Sequence, residues 1–114
     1  MATVSTTKIG VPGNKVSVPR IGLGTVPMSV VYRNVDDEES IKVLNHAIDI
    51  GCTFWDTADI YGLGHNKKLL SRVLKEHRKE IFLCTKFGFQ YRVPEPGEKG
   101  KPGDFVTGIS GKPN

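Results

Sequence analysis

TFWDTADIYG, residues Thr53–Gly62, is the segment that decides the fold predicted by this sequence. It opens with one β-branched and two aromatic residues, which are typical of a short buried strand. Asp56 lies at the exit of that strand, and a loop from Thr57 to His65 follows. In parallel α/β proteins functional groups collect at the carboxyl ends of the strands, so this segment predicts both a core strand and a site.

A helix is predicted on each side of this strand. Asp36 followed by Glu39 is a capping-box pattern, which predicts the start of the first helix. This helix is expected to run over Asp37–Ile50 and to end at Gly51, because glycine adopts the left-handed conformation readily. Asn66 is predicted to cap the second helix. The apolar stripe of that helix consists of Leu69, Leu70, Val73 and Leu74.

Two further apolar segments, Arg20–Gly24 and Ile81–Thr85, predict strands before the first helix and after the second. The resulting order is strand, helix, strand, helix, strand, which implies parallel strands joined by right-handed crossovers and hence an α/β fold. Upstream, Thr6–Pro19 contains two apolar stretches around a run of turn formers and predicts a β-hairpin. Downstream, residues 87–114 are rich in Gly and Pro and predict a long loop.

The composition is typical of one small soluble domain. The 114 residues are 38% apolar and 25% charged, and no apolar run approaches the ~18 residues of a membrane span. The first ten residues contain no apolar leader, so we expect a cytoplasmic protein without a membrane partner. Cys52 and Cys84 lie in apolar segments, which favours reduced thiols over a disulfide framework or a metal site.

The net charge of +4 comes largely from a basic cluster in and after the predicted second helix. A nucleic-acid partner usually requires a denser basic stripe interleaved with aromatic residues, so we interpret the cluster as a solvated helix face. Its members are Lys67, Lys68, Arg72, Lys75, Arg78 and Lys79.

Three side chains suited to proton transfer onto a carbonyl are predicted to meet at the carboxyl edge of the sheet. Asp56 and Lys86 follow successive strands, and Tyr61 lies in the loop after Asp56. Taken singly, Asp56 would be interpreted as a turn former, Lys86 as a solvated side chain and Tyr61 as a packing residue. A free tyrosine has a pKa near ~10 and is a poor acid at neutral pH, but a nearby ammonium stabilises its phenolate. Lys86 could supply that ammonium, and Asp56 could hold it charged, so that Tyr61 becomes a general acid.

Three blocks of the sequence carry a family resemblance: Ile21–Thr25, Phe54–Gly62 and Ile81–Gly88. They resemble successive signature blocks of the aldo-keto reductase family, above all Asp-Thr-Ala-Asp-x-Tyr-Gly followed by a strand that ends in Thr-Lys. The resemblance spans most of residues 20–88 and is to the N-terminal part of the family's domain only. The Gly/Pro-rich segment that ends in Ser110–Pro113 is more similar to the microbial and plant branch than to the mammalian aldose reductases.

The resemblance implies a fold, a reaction and a cofactor. The fold would be the N-terminal portion of a (β/α)8 TIM barrel, its base closed by the hairpin, and the reaction would be NADPH-dependent reduction of a small aldehyde or ketone. The family's proton donor corresponds to Tyr61, its lysine to Lys86, and its aspartate to Asp56, which also lies near the nicotinamide ribose. The family's backbone contact to the cofactor corresponds to Gly24 and Thr25. No metal is expected.

The family also uses a histidine at the end of the fourth strand, and we expect this chain to stop before that strand. His46 and His77 lie in predicted helices and His65 in a predicted loop, so structural or solvated roles are expected for all three. A full barrel needs about 250 residues. We therefore expect the 114-residue chain to be inactive by itself.

One alternative function stays open, a reductase-like barrel kept as a non-catalytic cofactor-binding or regulatory subunit. Retention of Asp56, Tyr61 and Lys86 favours the enzyme. A Rossmann dinucleotide site is rejected because Gly22–Pro27 lacks the third glycine and places a proline where the helix would begin. The physiological carbonyl, the oligomeric state and the choice between NADPH and NADH also stay open.

Overall fold

The computed structural model describes residues 3–29, 35–91 and 105–107. Strands alternate with helices through its centre, and two 3-10 turns, Val26–Met28 and Tyr61–Gly64, lie between them. In chain order the elements are β1 (Thr6–Val11), β2 (Asn14–Pro19), β3 (Leu23–Gly24), α1 (Asp37–Asp49), β4 (Phe54–Asp56), α2 (His65–His77), β5 (Phe82–Cys84), β6 (Phe89–Tyr91) and β7 (Phe105–Thr107).

The central sheet has the order β3-β4-β5, and both pairings are parallel, as the sequence predicts. Its register places Gly24 beside Asp56 and Asp56 beside Cys84, so these three residues lie side by side at the carboxyl edge of the sheet. The first strand is shorter than predicted, because only Leu23–Gly24 of the segment Arg20–Gly24 is paired. Ile21 is largely exposed instead, which shows that its apolar character did not bring it into the sheet.

Helix α1 begins and ends where its local signals predict. The Asp36 carboxylate accepts the backbone N–H groups of Glu38 at 2.8 Å and of Glu39 at 3.5 Å, which satisfies donors that have no partner inside the helix. The Glu39 side chain accepts from Lys42 at 2.6 Å. At the other end Gly51 has a φ of +79°, the left-handed conformation that ends a helix at little cost in glycine.

The core lies between the sheet and the two helices. Trp55 is fully buried at its centre, and its indole N–H donates to the Cys52 carbonyl at 2.9 Å, so that its one polar group is satisfied. Cys52 is buried and Cys84 half-buried, both are free thiols, and burial raises the pKa of Cys52. The buried core residues are Met28, Leu44, Ala47, Cys52, Trp55, Leu69, Leu70, Val73 and Ile81.

Helix α2 packs its apolar stripe against this core and leaves its basic residues on the exposed face, as predicted. Arg72 pairs with Glu38 of α1 at 2.7 Å, which joins the two helices across their exposed edges. In the part of the chain that the structure describes, no helix combines the length and apolar character needed to cross a membrane.

The predicted N-terminal hairpin is confirmed. Strands β1 and β2 pair antiparallel from Thr6 opposite Pro19 to Val11 opposite Asn14. Its far end buries Val18, and the Val4 amide donates to the Ile50 carbonyl at 3.0 Å, which joins the N-terminal segment to the end of α1.

The prediction of an irregular loop over residues 87–114 is wrong in part. Phe89–Tyr91 and Phe105–Thr107 form a two-stranded antiparallel sheet. Both triplets are aromatic or β-branched at their ends, which suits strands, but their pairing joins residues far apart in sequence and leaves no local periodic signal. The remainder of the predicted loop, residues 92–104 and 108–114, lies outside the described residues.

Replacement of Leu44 tests the assignment of the core. Leu44 of α1 is fully buried, so Leu44→Ala is expected to lower the free energy of unfolding of this chain by roughly 2–5 kcal/mol. Val43 is the matched control because it is adjacent and 48% exposed, and Val43→Ala should change stability by less than about 0.5 kcal/mol. Urea unfolding followed by the fluorescence of Trp55, the one tryptophan, measures both. Equal losses in the two variants would contradict this core.

Candidate active site

Asp56 stands at the carboxyl end of the central strand, and its main chain is tightly held. Its carbonyl oxygen accepts the Thr25 amide at 3.1 Å and the Thr25 hydroxyl at 2.9 Å. Its side chain is half exposed and lines an open cleft beside Gly24 and Cys84. A rigid backbone therefore presents a solvated carboxylate at the edge of the sheet.

Lys86, just beyond the neighbouring strand β5, closes onto this carboxylate. Its Nζ donates to Asp56 Oδ1 at 2.7 Å and to the Thr57 carbonyl at 2.9 Å. Partial burial by itself lowers the pKa of Lys86, but attraction to Asp56 and to the Tyr61 phenol outweighs it, and the pKa lies above its ordinary value of 10.5. The site thus keeps a protonated ammonium at neutral pH.

Tyr61 completes the group. It begins the 3-10 turn Tyr61–Gly64, and the Lys86 Nζ lies 5.0 Å from the centroid of its ring, a distance suited to a cation–π contact. The structure therefore brings together the three side chains that the sequence singled out, Asp56, Tyr61 and Lys86, from two segments of the chain.

The loop between Asp56 and Tyr61 is held against β5 by its main chain. The Thr57 amide donates to the Cys84 carbonyl at 2.9 Å, and the Asp59 amide donates to the Lys86 carbonyl at 3.2 Å. After Tyr61 the chain turns through Gly62, whose φ is +59°. A Cβ at Gly62 would lie 2.9 Å from the Ser29 Cβ, so only glycine fits where this turn packs against Ser29.

Asn66 corrects the sequence prediction. The N-cap of α2 is Gly64, with a φ of +102°, and Asn66 lies inside the helix with none of its surface exposed. Its side chain hydrogen-bonds to Thr25, Thr57 and Ser29. The signal that could have shown this is helical spacing, because Asn66 precedes the buried pair Leu69 and Leu70 by three and four residues and so shares their face.

The histidines have structural surroundings in this structure. His65, predicted in a loop, is the first residue of α2, where Nδ1 contacts Ser29 Oγ and Nε2 contacts Asp37 Oδ1, each at 2.8 Å. His46 is exposed on α1, and His77 at the end of α2 contacts Glu80. Within residues 3–29, 35–91 and 105–107, no three His, Cys, Asp or Glu side chains are placed to hold a metal ion.

The predicted cofactor contacts fall into two kinds of environment. Gly24 is exposed, and a Cβ at this position would meet no atom within 4 Å, so open space adjoins its backbone next to Asp56. Thr25 is fully buried, and its amide and hydroxyl both donate to the Asp56 carbonyl. A ligand in the cleft can therefore approach the Gly24 backbone directly, whereas Thr25 holds the edge of the sheet from behind.

The pKa of Lys86 provides a direct test of this geometry. We expect it to exceed 10.5 in this chain and to fall in Asp56→Asn, which removes the carboxylate 2.7 Å away. A raised pKa means that the pair adds stability below pH 10.5 and that this contribution disappears as the pH rises through the folded-state value. It should be below about 1 kcal/mol, since both side chains are roughly half exposed. NMR titration of the Lys86 ¹³Cε measures the pKa; an unchanged value in Asp56→Asn, or an equal fall in the distant control Asp49→Asn, would contradict the pairing.

Comparison with known proteins agrees with this architecture. Residues 20–109 match the model of the Aldo/keto reductase family. The chain is 44% identical over 95 residues to the Schizosaccharomyces pombe protein "Aldo-keto reductase yakc [NADP(+)]", covering 79% of this chain and 28% of that protein. It is 34% identical over 104 residues to the soybean protein "Probable aldo-keto reductase 1", covering 89% of this chain and 30% of that protein.

Solved structures of aldo-keto reductases, which are TIM barrels, have the same arrangement of strands and helices. The holo form of an enzyme from Bacillus halodurans superposes with a TM-score of 0.63 and 25% identity, over 84% of this chain and 30% of that one. A Klebsiella pneumoniae enzyme in complex with NADPH superposes with a TM-score of 0.53 and 26% identity, over 62% of this chain and 24% of that one. This chain thus spans 28% of the length of the fission-yeast relative and 30% of that of the soybean relative. With its sheet forming part of such a barrel and its family match covering residues 20–109, the chain belongs to the aldo-keto reductase family.

Proposed function

We propose that this chain supplies the catalytic acid and the nicotinamide-facing edge of a barrel that reduces small aldehydes or ketones with NADPH. One observation carries the proposal: the Lys86 ammonium lies 2.7 Å from the Asp56 carboxylate and 5.0 Å from the centroid of the Tyr61 ring. Asp56 also lines an open cleft at the carboxyl edge of the parallel sheet, where functional groups of barrels collect.

In the proposed reaction Tyr61 donates its phenolic proton to the carbonyl oxygen of the substrate. NADPH, when bound, supplies the hydride that adds to the carbonyl carbon, so that hydride and proton together give the alcohol. Loss of this proton converts Tyr61 to a phenolate, and the positive charge of Lys86 stabilises that phenolate. Asp56 keeps that ammonium charged and oriented through their 2.7 Å hydrogen bond.

The residues at the edge of β3 and β4 fit the nicotinamide end of NADPH. Gly24 leaves its backbone open to the cleft, and the Asp56 carboxylate is half exposed beside it, as an acceptor for a ribose hydroxyl requires. Thr25 fixes the position of both residues through its bonds to the Asp56 carbonyl. The preference for NADPH is supported by the name of the yeast relative, which includes NADP(+), and by the NADPH complex of the Klebsiella structure.

Removal of the Tyr61 hydroxyl tests the proton donor. This chain would replace the matching N-terminal part of the fission-yeast relative to form a complete hybrid barrel. Tyr61→Phe should lower kcat for a reactive aldehyde by at least about 100-fold, the range of general acid catalysis, while NADPH still quenches protein fluorescence with an unchanged Kd. Asp59→Asn, which alters an exposed carboxylate in the same loop, is the control and should keep its activity.

The outcomes of this experiment separate the two candidate functions. Full turnover by the Tyr61→Phe hybrid would refute Tyr61 as the donor. A hybrid that retains Tyr61, binds NADPH and leaves aldehydes unreduced would instead support the non-catalytic regulatory alternative.

We expect no turnover from the 114-residue chain alone, because it spans only 28% of its yeast relative and the remainder of that barrel is needed to enclose a substrate. The purified chain mixed with NADPH and a reactive aldehyde should show no loss of absorbance at the nicotinamide band above that of a Tyr61→Phe sample. Tyr61-dependent oxidation of NADPH would overturn this expectation.

A further inference from the structure

Asn66 is a fully buried polar residue whose hydrogen-bonding capacity is completely used. Its Oδ1 accepts from the hydroxyls of Thr25 at 2.8 Å and Thr57 at 2.6 Å. Its Nδ2 donates to the Thr25 carbonyl and to Ser29 Oγ, both at 2.8 Å. The orientation of the Asn66 amide is determined by the Thr25 carbonyl. This carbonyl oxygen can only accept a hydrogen bond, so the NH₂ group of Asn66 must face it. A buried group satisfied in this way holds its partners in one arrangement.

Two of these partners connect directly to the ion pair of the site. The Thr25 amide donates to the carbonyl of Asp56, and the single proton of the Thr25 hydroxyl is shared between that carbonyl and Asn66 Oδ1. Thr57, the residue after Asp56, accepts the Lys86 ammonium on its carbonyl at 2.9 Å. Asn66 is therefore separated from the main chain of Asp56 and from the Lys86 side chain by a single intervening residue each.

The third partner connects Asn66 to Tyr61. Ser29 packs against Gly62 so closely that a Cβ there would lie 2.9 Å from the Ser29 Cβ. Residues Gly62, Leu63 and Gly64 all have positive φ, an unfavourable run of backbone conformations that the close packing against Ser29 helps to hold in place.

A second set of bonds continues from Ser29 to the first helix. Ser29 Oγ, which accepts from Asn66, contacts His65 Nδ1, and His65 Nε2 contacts the Asp37 carboxylate in the first turn of α1. The network thus joins both helices to the carboxyl edge of the sheet.

We propose that Asn66 is a positioning residue that sets the spacing of Asp56, Tyr61 and Lys86, acting through Thr25, Thr57 and Ser29. Within the described residues its side chain hydrogen-bonds to none of the three side chains, and we infer that it contributes by fixing the main chain that carries them. The role of this spacing in turnover rests on the proposed function, whereas the spacing itself can be measured without turnover.

The first test measures the geometry in the 114-residue chain. Thr57→Val keeps the shape of the side chain and removes one bond to Asn66, and Asn66→Leu removes all four. In both variants the NMR-measured pKa of Lys86 should fall toward its ordinary value, with the larger fall in Asn66→Leu. Leu70→Ala is the matched control, since Leu70 is buried one turn along α2 and has no part in the network. It should lose stability without a fall in that pKa.

Clear outcomes would overturn the positioning role. An unchanged pKa of Lys86 in the folded Thr57→Val chain would contradict the positioning role of Asn66. If Asn66→Leu does not fold, the result for Thr57→Val is the test. A fall in Leu70→Ala as large as in Thr57→Val would also contradict that role, because it would show a general effect of lost stability.

The second test uses the hybrid barrel. Thr57→Val should lower kcat by at least about tenfold with KM for the aldehyde changed less than about twofold, because misplaced reacting groups slow the chemical step more than binding. Unaltered kcat would overturn the positioning role in catalysis. Failure of the proposed function would give a different result, an unchanged kcat in the Tyr61→Phe hybrid.

Discussion

The parallel register of β4 between its two neighbours is the constraint on which the rest of the structure depends. Side chains alternate along a strand, so Trp55 points into the core with none of its surface exposed while Asp56 reaches the cleft half exposed. A slip of one residue would bury the carboxylate and expose the indole. The large apolar area of Trp55 therefore determines where the charge of Asp56 stands.

From the core toward the carboxyl edge of the sheet, the side chains change from apolar to polar and then to charged. The helices cover an apolar core, a buried polar layer around Asn66 lies at the ends of β3 and β4, and the charged groups stand beyond it. Each layer depends on the one below. Buried polar groups are tolerated only when they are satisfied, and within the described residues every buried side-chain nitrogen and oxygen has a partner.

The ion pair of Lys86 and Asp56 contributes little to this stability, because both side chains are about half exposed and exposed pairs are worth roughly 0–1 kcal/mol. Its placement nevertheless requires two strands, a buried threonine and a carbonyl acceptor. This arrangement is the one that the proposed proton transfer requires, since a cation near the Tyr61 phenol stabilises the phenolate.

The sequence by itself determined the parts of this protein that depend on neighbours along the chain. The Asp36 cap, the stop at Gly51, the hairpin and the alternation of strands with helices each follow from residues within a few positions of one another. The signature blocks also singled out Asp56, Tyr61 and Lys86 as candidate site residues. Tertiary structure alone decided which residues Asn66 binds, that β6 pairs with β7, and the 2.7 Å distance between Lys86 and Asp56. These contacts depend on which surfaces the packed sheet and helices bring together, and no local pattern contains that information.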